Sequence, residues 1–253
     1  MLFGPMLWFT LGGAAVAGFV QGLSGFAFSM VSMAIWAWVL EPRLAAVLTV
    51  FGALVGQVTG ALAVRQAFPW KRLLPFLAGG ALGVPLGLAL LPVLDPAVFK
   101  LLLGVVLVAW CSFMLLSRRK IEHGNRGRGY DRVCDGIAGL CGGILGSLAG
   151  LTGIAPALWC TLRQYPRDVQ RNLIQGFNLL ILSFTMTCYV VSSTVSVAML
   201  PWFGALLPVI MVSTWLGARL YARLCDETFR RIILMLLTLS GAALLVSAAR
   251  GFL

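Results

Sequence analysis

The first forty residues constrain the fold most: from Phe3 to Leu40 no Lys, Arg, Asp or Glu interrupts an apolar run. Further apolar stretches cover Leu44 to Val64 and Val98 to Leu116, the last broken only by Lys100. About 20 consecutive apolar residues let an α-helix cross the hydrocarbon of a bilayer. Inside lipid the backbone must satisfy its own hydrogen bonds, so only helices and closed barrels span it. Alternating apolar and polar strands are absent, which disfavours a barrel. Composition agrees: the chain is 60% hydrophobic and 11% charged, against about 25% charged in soluble domains. The expectation is an all-α integral membrane protein.

No basic residue precedes Arg43, so a secretory signal with a positive n-region is not expected and the N-terminal run is read as mature structure. Six cysteines (Cys111, Cys134, Cys141, Cys160, Cys188 and Cys225) form no CxxC pair. Ordinary membrane packing is preferred for them over metal or redox work.

With Gly, Pro and charge as punctuation, hydropathy gives apolar segments at about 5–22, 23–40, 44–64, 73–92, 97–117, 134–149, 150–162, 172–191, 200–218 and 229–249. The first two of each half are short and Gly-rich, so either member of a pair can be a half-helix of a re-entrant hairpin. Six to ten true crossings follow. The net charge of +11 is read as a topology signal and not as a nucleic-acid surface, because cytoplasmic loops accumulate Lys and Arg. Sixteen of the 19 basic residues fall in one set of connections, around 65–72, 118–132, 163–171 and 219–231, and three (Arg43, Lys100, Arg250) in the other. This makes the first set cytoplasmic and places both termini outside, as expected of a bacterial-type inner-membrane protein.

An internal repeat appears at an offset of 128: Gly18-x-x-x-Gly22-Leu23-Ser24-Gly25-Phe26-Ala27 matches Gly146-x-x-x-Gly150-Leu151-Thr152-Gly153-Ile154-Ala155, and Arg43 matches Arg171. Further on, Pro69-Trp70 resembles Pro201-Trp202 and Phe99-Lys100 resembles Phe229-Arg230. Matches in the same order indicate duplication. The expected organisation is an N-terminal repeat at 1–117, a basic cytoplasmic linker at 118–133 and a C-terminal repeat at 134–253. Because the halves enter from opposite sides, the repeats should be inverted, with a ligand near the midplane between them.

Each motif sets two glycines around a hydroxyl residue inside an apolar region. Glycine permits a break and a close approach of backbone, and a helix restarting after a break offers free N–H groups and the positive end of its dipole. Gly22, Ser24 and Gly25 with Gly150, Thr152 and Gly153 are thus candidates for an oxyanion cradle. The competing reading is close helix contact through small residues, Gly18 with Gly22 and Gly146 with Gly150.

These motifs, the basic residue that follows each about 18 positions later, and the duplicated layout over nearly the whole chain resemble the TauE/SafE sulfite exporter family. The resemblance implies a membrane carrier for sulfite, sulfoacetate or related sulfur-containing anions, often assigned an export role. The family's usual Gly-rich run with a following Pro is degraded here: Pro156 stands in the second half and Phe28 at the matching first-half position.

Polar residues in apolar context complete the candidates. Gln175 and Asn178 share a helix face with Asn172 just after Arg171, and Gln57 lies between Gly56 and Gly60. Each is either a ligand contact or interhelical glue. Arg43 and Arg171 could attract an anion at a vestibule. All eight acidic residues lie in loops or at segment ends, and the single histidine, His123, lies in the central basic loop. If a proton is coupled to transport, it rides on the substrate or uses Glu41 or Asp135. No HExxH, GxSxG or carboxylate pair occurs, so an enzyme, a metal site and a cofactor are not expected. The function expected is a secondary carrier of a small anion, the alternatives being an anion channel or a carrier of a different small organic anion.

Overall fold

In a computed structural model, the structure describes residues 3–63, 69–93, 95–116, 128–163 and 165–221, with 238, 241–242 and 245–246 of the last segment. Among them the secondary structure is helical throughout. The helices are α1 (Phe3–Ser24), α2 (Phe28–Trp36), α3 (Pro42–Ala63), α4 (Trp70–Leu90), α5 (Pro96–Leu116), α6 (Arg128–Ala149), α7 (Ile154–Leu162), α8 (Arg167–Val191) and α9 (Leu200–Tyr221), with one 3-10 turn at Val197–Met199. Six stretches, in α1, α3, α4, α6, α8 and at Val197–Leu220, are long and apolar enough to cross a membrane. The chain is therefore a multi-pass membrane protein. The tenth expected segment, 229–249, lies almost wholly outside the described residues, as does 118–127 of the expected linker. Residues 128–133, also expected in the linker, form the first turns of α6.

The short pairs resolve in one way. The first member of each, α1 and α6, is 22 residues long, whereas the second, α2 and α7, has nine. At about 1.5 Å per residue, nine residues cover less than half the hydrocarbon core. Both first helices end on a left-handed glycine, Gly25 at φ +82° and Gly150 at φ +69°. That backbone is cheap only for glycine.

Glycine also sets how closely the long helices approach. The most extensive packing is α4 on α6 and α1 on α9, followed by α3 on α9, α4 on α8 and α3 on α8. Gly79, Gly83 and Gly87 of α4 face the backbone of α6, so that a Cβ at Gly87 would lie 2.6 Å from the Ile144 carbonyl oxygen. At Gly22 a Cβ would meet the α9 backbone, 2.6 Å from the Ala218 nitrogen. Lipid supplies no hydrophobic drive between helices, so small residues that let backbones touch carry much of the association.

The main core gathers around the first short helix. Phe28 and Trp36 are fully buried and meet edge-to-face with centroids 6.1 Å apart, and the Trp36 indole N–H donates to the Thr10 carbonyl at 3.2 Å. Leu82 and Trp8, by contrast, are 67% and 74% exposed. Outward apolar side chains of this size fit a lipid-facing surface.

Candidate transport site between two helix breaks

The two glycine breaks come together. One cleft is lined by Phe26, Ser29 and Met30 from the first break and α2, and by Gly150, Leu151, Gly153 and Ile154 from the second break and α7. None of these lining residues is charged. The polarity of the cleft comes from backbone groups and the Ser29 hydroxyl.

At the first break the Ser24 hydroxyl donates to the Val20 carbonyl at 2.8 Å and accepts from the N–H groups of Ala27 at 3.1 Å and Phe26 at 3.4 Å. The Phe28 N–H donates to Gln21 Oε1 at 2.9 Å. Gln57 of α3, 5% exposed, donates from Nε2 to the Gly25 carbonyl at 3.1 Å. Gln175 of α8 reaches the same place: a Cβ at Gly25 would lie 2.9 Å from Gln175 Nε2. The buried Gln175 Oε1 has no hydrogen-bond partner among the described residues.

The second break differs. The Gly150 N–H donates to the Gly146 carbonyl at 2.8 Å, and Tyr189 Oη donates to the Ser147 carbonyl, so these two carbonyls near the end of α6 are satisfied. The Thr152 hydroxyl donates to Asn178 Oδ1 at 2.7 Å, with the two residues 1% and 2% exposed. Ser29 and Thr49, from α2 and α3, crowd Gly150: a Cβ there would lie 2.8 Å from Thr49 Cγ2 and 2.9 Å from Ser29 Oγ.

Of the residues singled out in the sequence, Ser24, Gly25, Gln57 and Gln175 thus meet at the first break, and Gly150, Thr152, Gly153 and Asn178 at the second. Gly22 lies inside α1 against α9, where it serves the close helix contact. The repeat register shifts as well. The motif pairs Gly25 with Gly153, whereas the helix-ending left-handed glycines are Gly25 and Gly150. Arg43 is exposed and its guanidinium donates to the carbonyls of Ser193 at 2.9 Å and Thr194 at 3.0 Å. It clamps the turn after α8, where Ser193 holds a left-handed φ of 55°. Arg171 falls in α8, and its side chain lies outside the described residues.

Ser29 and Thr49 escaped the candidate list. Each is a single small polar residue in an apolar helix, and the only signal available was that such groups face a protein interior. Asp135, considered for a proton, joins a cluster at the end of α7: its Oδ1 accepts from the Trp159 indole N–H at 2.6 Å and lies 3.5 Å from Arg163 Nη1. Arg163 also pairs with Asp131 and donates to Tyr165 Oη at 3.2 Å. Burial, helped by Asp135, pushes the Tyr165 hydroxyl above the usual phenol range, so it stays neutral.

Among the described residues, six helices long and apolar enough to span a membrane, two short helices set off by glycine breaks, and an uncharged cleft between the breaks fit a multi-pass membrane protein of the transporter class. The family model of the sulfite exporter TauE/SafE matches residues 10–244. The chain belongs to the TauE/SafE sulfite exporter family, whose members are transporters and not enzymes. No curated protein and no solved structure gives a match.

Proposed function

We propose that the protein is a secondary carrier of a small sulfur-containing anion, sulfite, sulfoacetate or another organosulfonate, working by alternating access. The substrate sits near the bilayer midplane, between an N-terminal repeat at 1–117 and a C-terminal repeat at 134–253 joined by the basic segment 118–133. The repeats are inverted, the basic connections are cytoplasmic and both termini lie outside, in a bacterial-type inner membrane.

One observation carries this reading: two glycine breaks, one from each half, line a single uncharged cleft. Support for the repeat comes from the packing pattern, in which α1 on α9 mirrors α6 on α4, and α3 on α9 mirrors α8 on α4. An oxyanion suits the cleft because helix N-terminal N–H groups and neutral donors stabilise negative charge. A fixed cation, by contrast, is expensive at bilayer depth whenever the cleft is empty. Ser24, Gly25, Gln57 and Gln175 serve the first break and Gly150, Thr152, Gly153 and Asn178 the second, while Gly22 keeps α1 against α9. Arg43 holds the turn after α8, and Arg171 acts at the end of the pathway. Any coupled proton travels on the substrate, since the lining residues carry no acid.

The test is flux into liposomes that hold purified, folded protein. Sulfite or sulfoacetate should enter with saturable kinetics and exchange against internal substrate. Absence of flux for these and for related sulfonates would refute the proposal.

A further inference from the structure

The two breaks look alike in sequence but differ in what their N–H groups do. At the first, the N–H groups of Phe26 and Ala27 are taken by Ser24 Oγ and that of Phe28 by Gln21 Oε1. Side chains from its own half cap the start of α2. At the second, no acceptor satisfies the N–H groups of Thr152, Gly153 or Ala155 among the described residues. The Thr152 hydroxyl donates to Asn178 and, among the described residues, accepts from none of these N–H groups.

Ser29 provides the second, independent observation. It belongs to α2 in the first half, is 4% exposed, and lines the cleft beside Gly150. Its hydroxyl has no hydrogen-bond partner among the described residues. The hydroxyl opens onto the same cleft as Gly153 and Ile154, so an oxyanion placed there can accept from it and from the open backbone donors together.

We infer that the anion is held at the second break, its oxygens accepting from the N–H groups at the start of α7 and from the Ser29 hydroxyl reaching across from the other half. Ser24 is then a helix cap and a positioning residue, not a ligand. The ligand class is a compact oxyanion head with several equivalent oxygens, as in sulfite or a sulfonate, because the donors converge from two elements. This assignment rests on the proposed carrier function and adds a specific polar contact to it.

The test measures sulfite uptake and sulfite-dependent thermal stabilisation of Ser29→Ala, with Ser183→Ala as a control. Ser183 only bonds back to the Leu179 carbonyl of its own helix. Loss of a hydrogen bond to a charged ligand predicts a sulfite KM raised about tenfold at nearly unchanged maximal rate. The control should keep the wild-type KM. A wild-type KM in folded Ser29→Ala would overturn the inference and leave the carrier function standing. Should Ser29→Ala fold poorly, Ser29→Cys keeps the shape with a weaker donor: a reduced sulfite-induced thermal shift supports the assignment, and a full one overturns it. A wild-type protein that moves no sulfur oxyanion fails at the carrier function itself, and the assignment falls with it.

Discussion

The hydrogen bond from Thr152 to Asn178 gives the sharpest test of how the second break is held. Thr152→Val keeps the shape of the side chain and removes its hydroxyl. Asn178 Oδ1 then loses its donor at a site where the two residues are 1% and 2% exposed, and leaving a buried acceptor unmet costs about 1–3 kcal/mol. Membrane hydrogen bonds average only about 0.6 kcal/mol in double-mutant cycles, because the membrane-embedded unfolded chain also finds partners. Near-complete burial favours the upper range here, so about 1–2 kcal/mol is expected for Thr152→Val. Asn178→Leu should cost a similar amount by stranding the threonine hydroxyl. The double variant replaces both partners with apolar groups, a change that can be nearly neutral, so its cost should fall short of the sum by about 2–3 kcal/mol. Reversible unfolding in mixed micelles, read for wild type, both single variants and the double, yields that coupling. Strictly additive costs, or single variants within a few tenths of wild type, would refute the bond and the order it imposes on the break.

Two further predictions concern backbone and charge. Gly25→Ala and Gly150→Ala each force a side chain into left-handed backbone, at about 1–2 kcal/mol, and into contact with Gln175 or with Ser29 and Thr49. Both should lower the melting temperature, whereas Gly60→Ala, which meets nothing within 4 Å, should raise stability by about 0.5–1 kcal/mol; equal effects at all three sites would sink the argument. Arg43→Gln removes the clamp on the Ser193–Thr194 carbonyls and should destabilise by about 1 kcal/mol, discounted for exposure, with sulfite KM within about twofold of wild type. A large rise in KM at unchanged stability would instead make Arg43 a substrate contact.

The membrane class and the helix breaks could be read from sequence because lipid imposes severe rules on composition. Runs such as 3–40 have no other stable use, and glycines flanking a hydroxyl inside such a run mark a place where the backbone leaves the helix. What could not be read was which glycine ends each helix. Gly22 and Gly150 occupy the same motif position, yet Gly22 stays helical because α9 backbone packs against it, while Gly150 turns left-handed. That choice is made by a partner helix distant in sequence. Arg43 shows the same limit: its match to Arg171 suggested an anion vestibule, and its guanidinium instead holds carbonyls some 150 positions away, at Ser193 and Thr194. Pairings across that distance leave no local signal.

The polar side chains around the breaks do not stay within their own halves. Gln175 of α8 stands beside Gly25, and Thr49 of α3, whose hydroxyl lies 3.3 Å from that of Ser32, stands beside Gly150. Each break therefore takes part of its surroundings from the long helix of the opposite half, and α3 and α8 pack directly on one another. In the proposed carrier, rocking one half against the other would shift Gln175 relative to Gly25 and Thr49 relative to Gly150 in the same step. A ligand that bridges Ser29 and the start of α7 interacts differently with the two arrangements, and such differential interaction is what allows binding to bias a conformational equilibrium. A site built wholly within one half would keep the same contacts in both arrangements and give the ligand no such leverage.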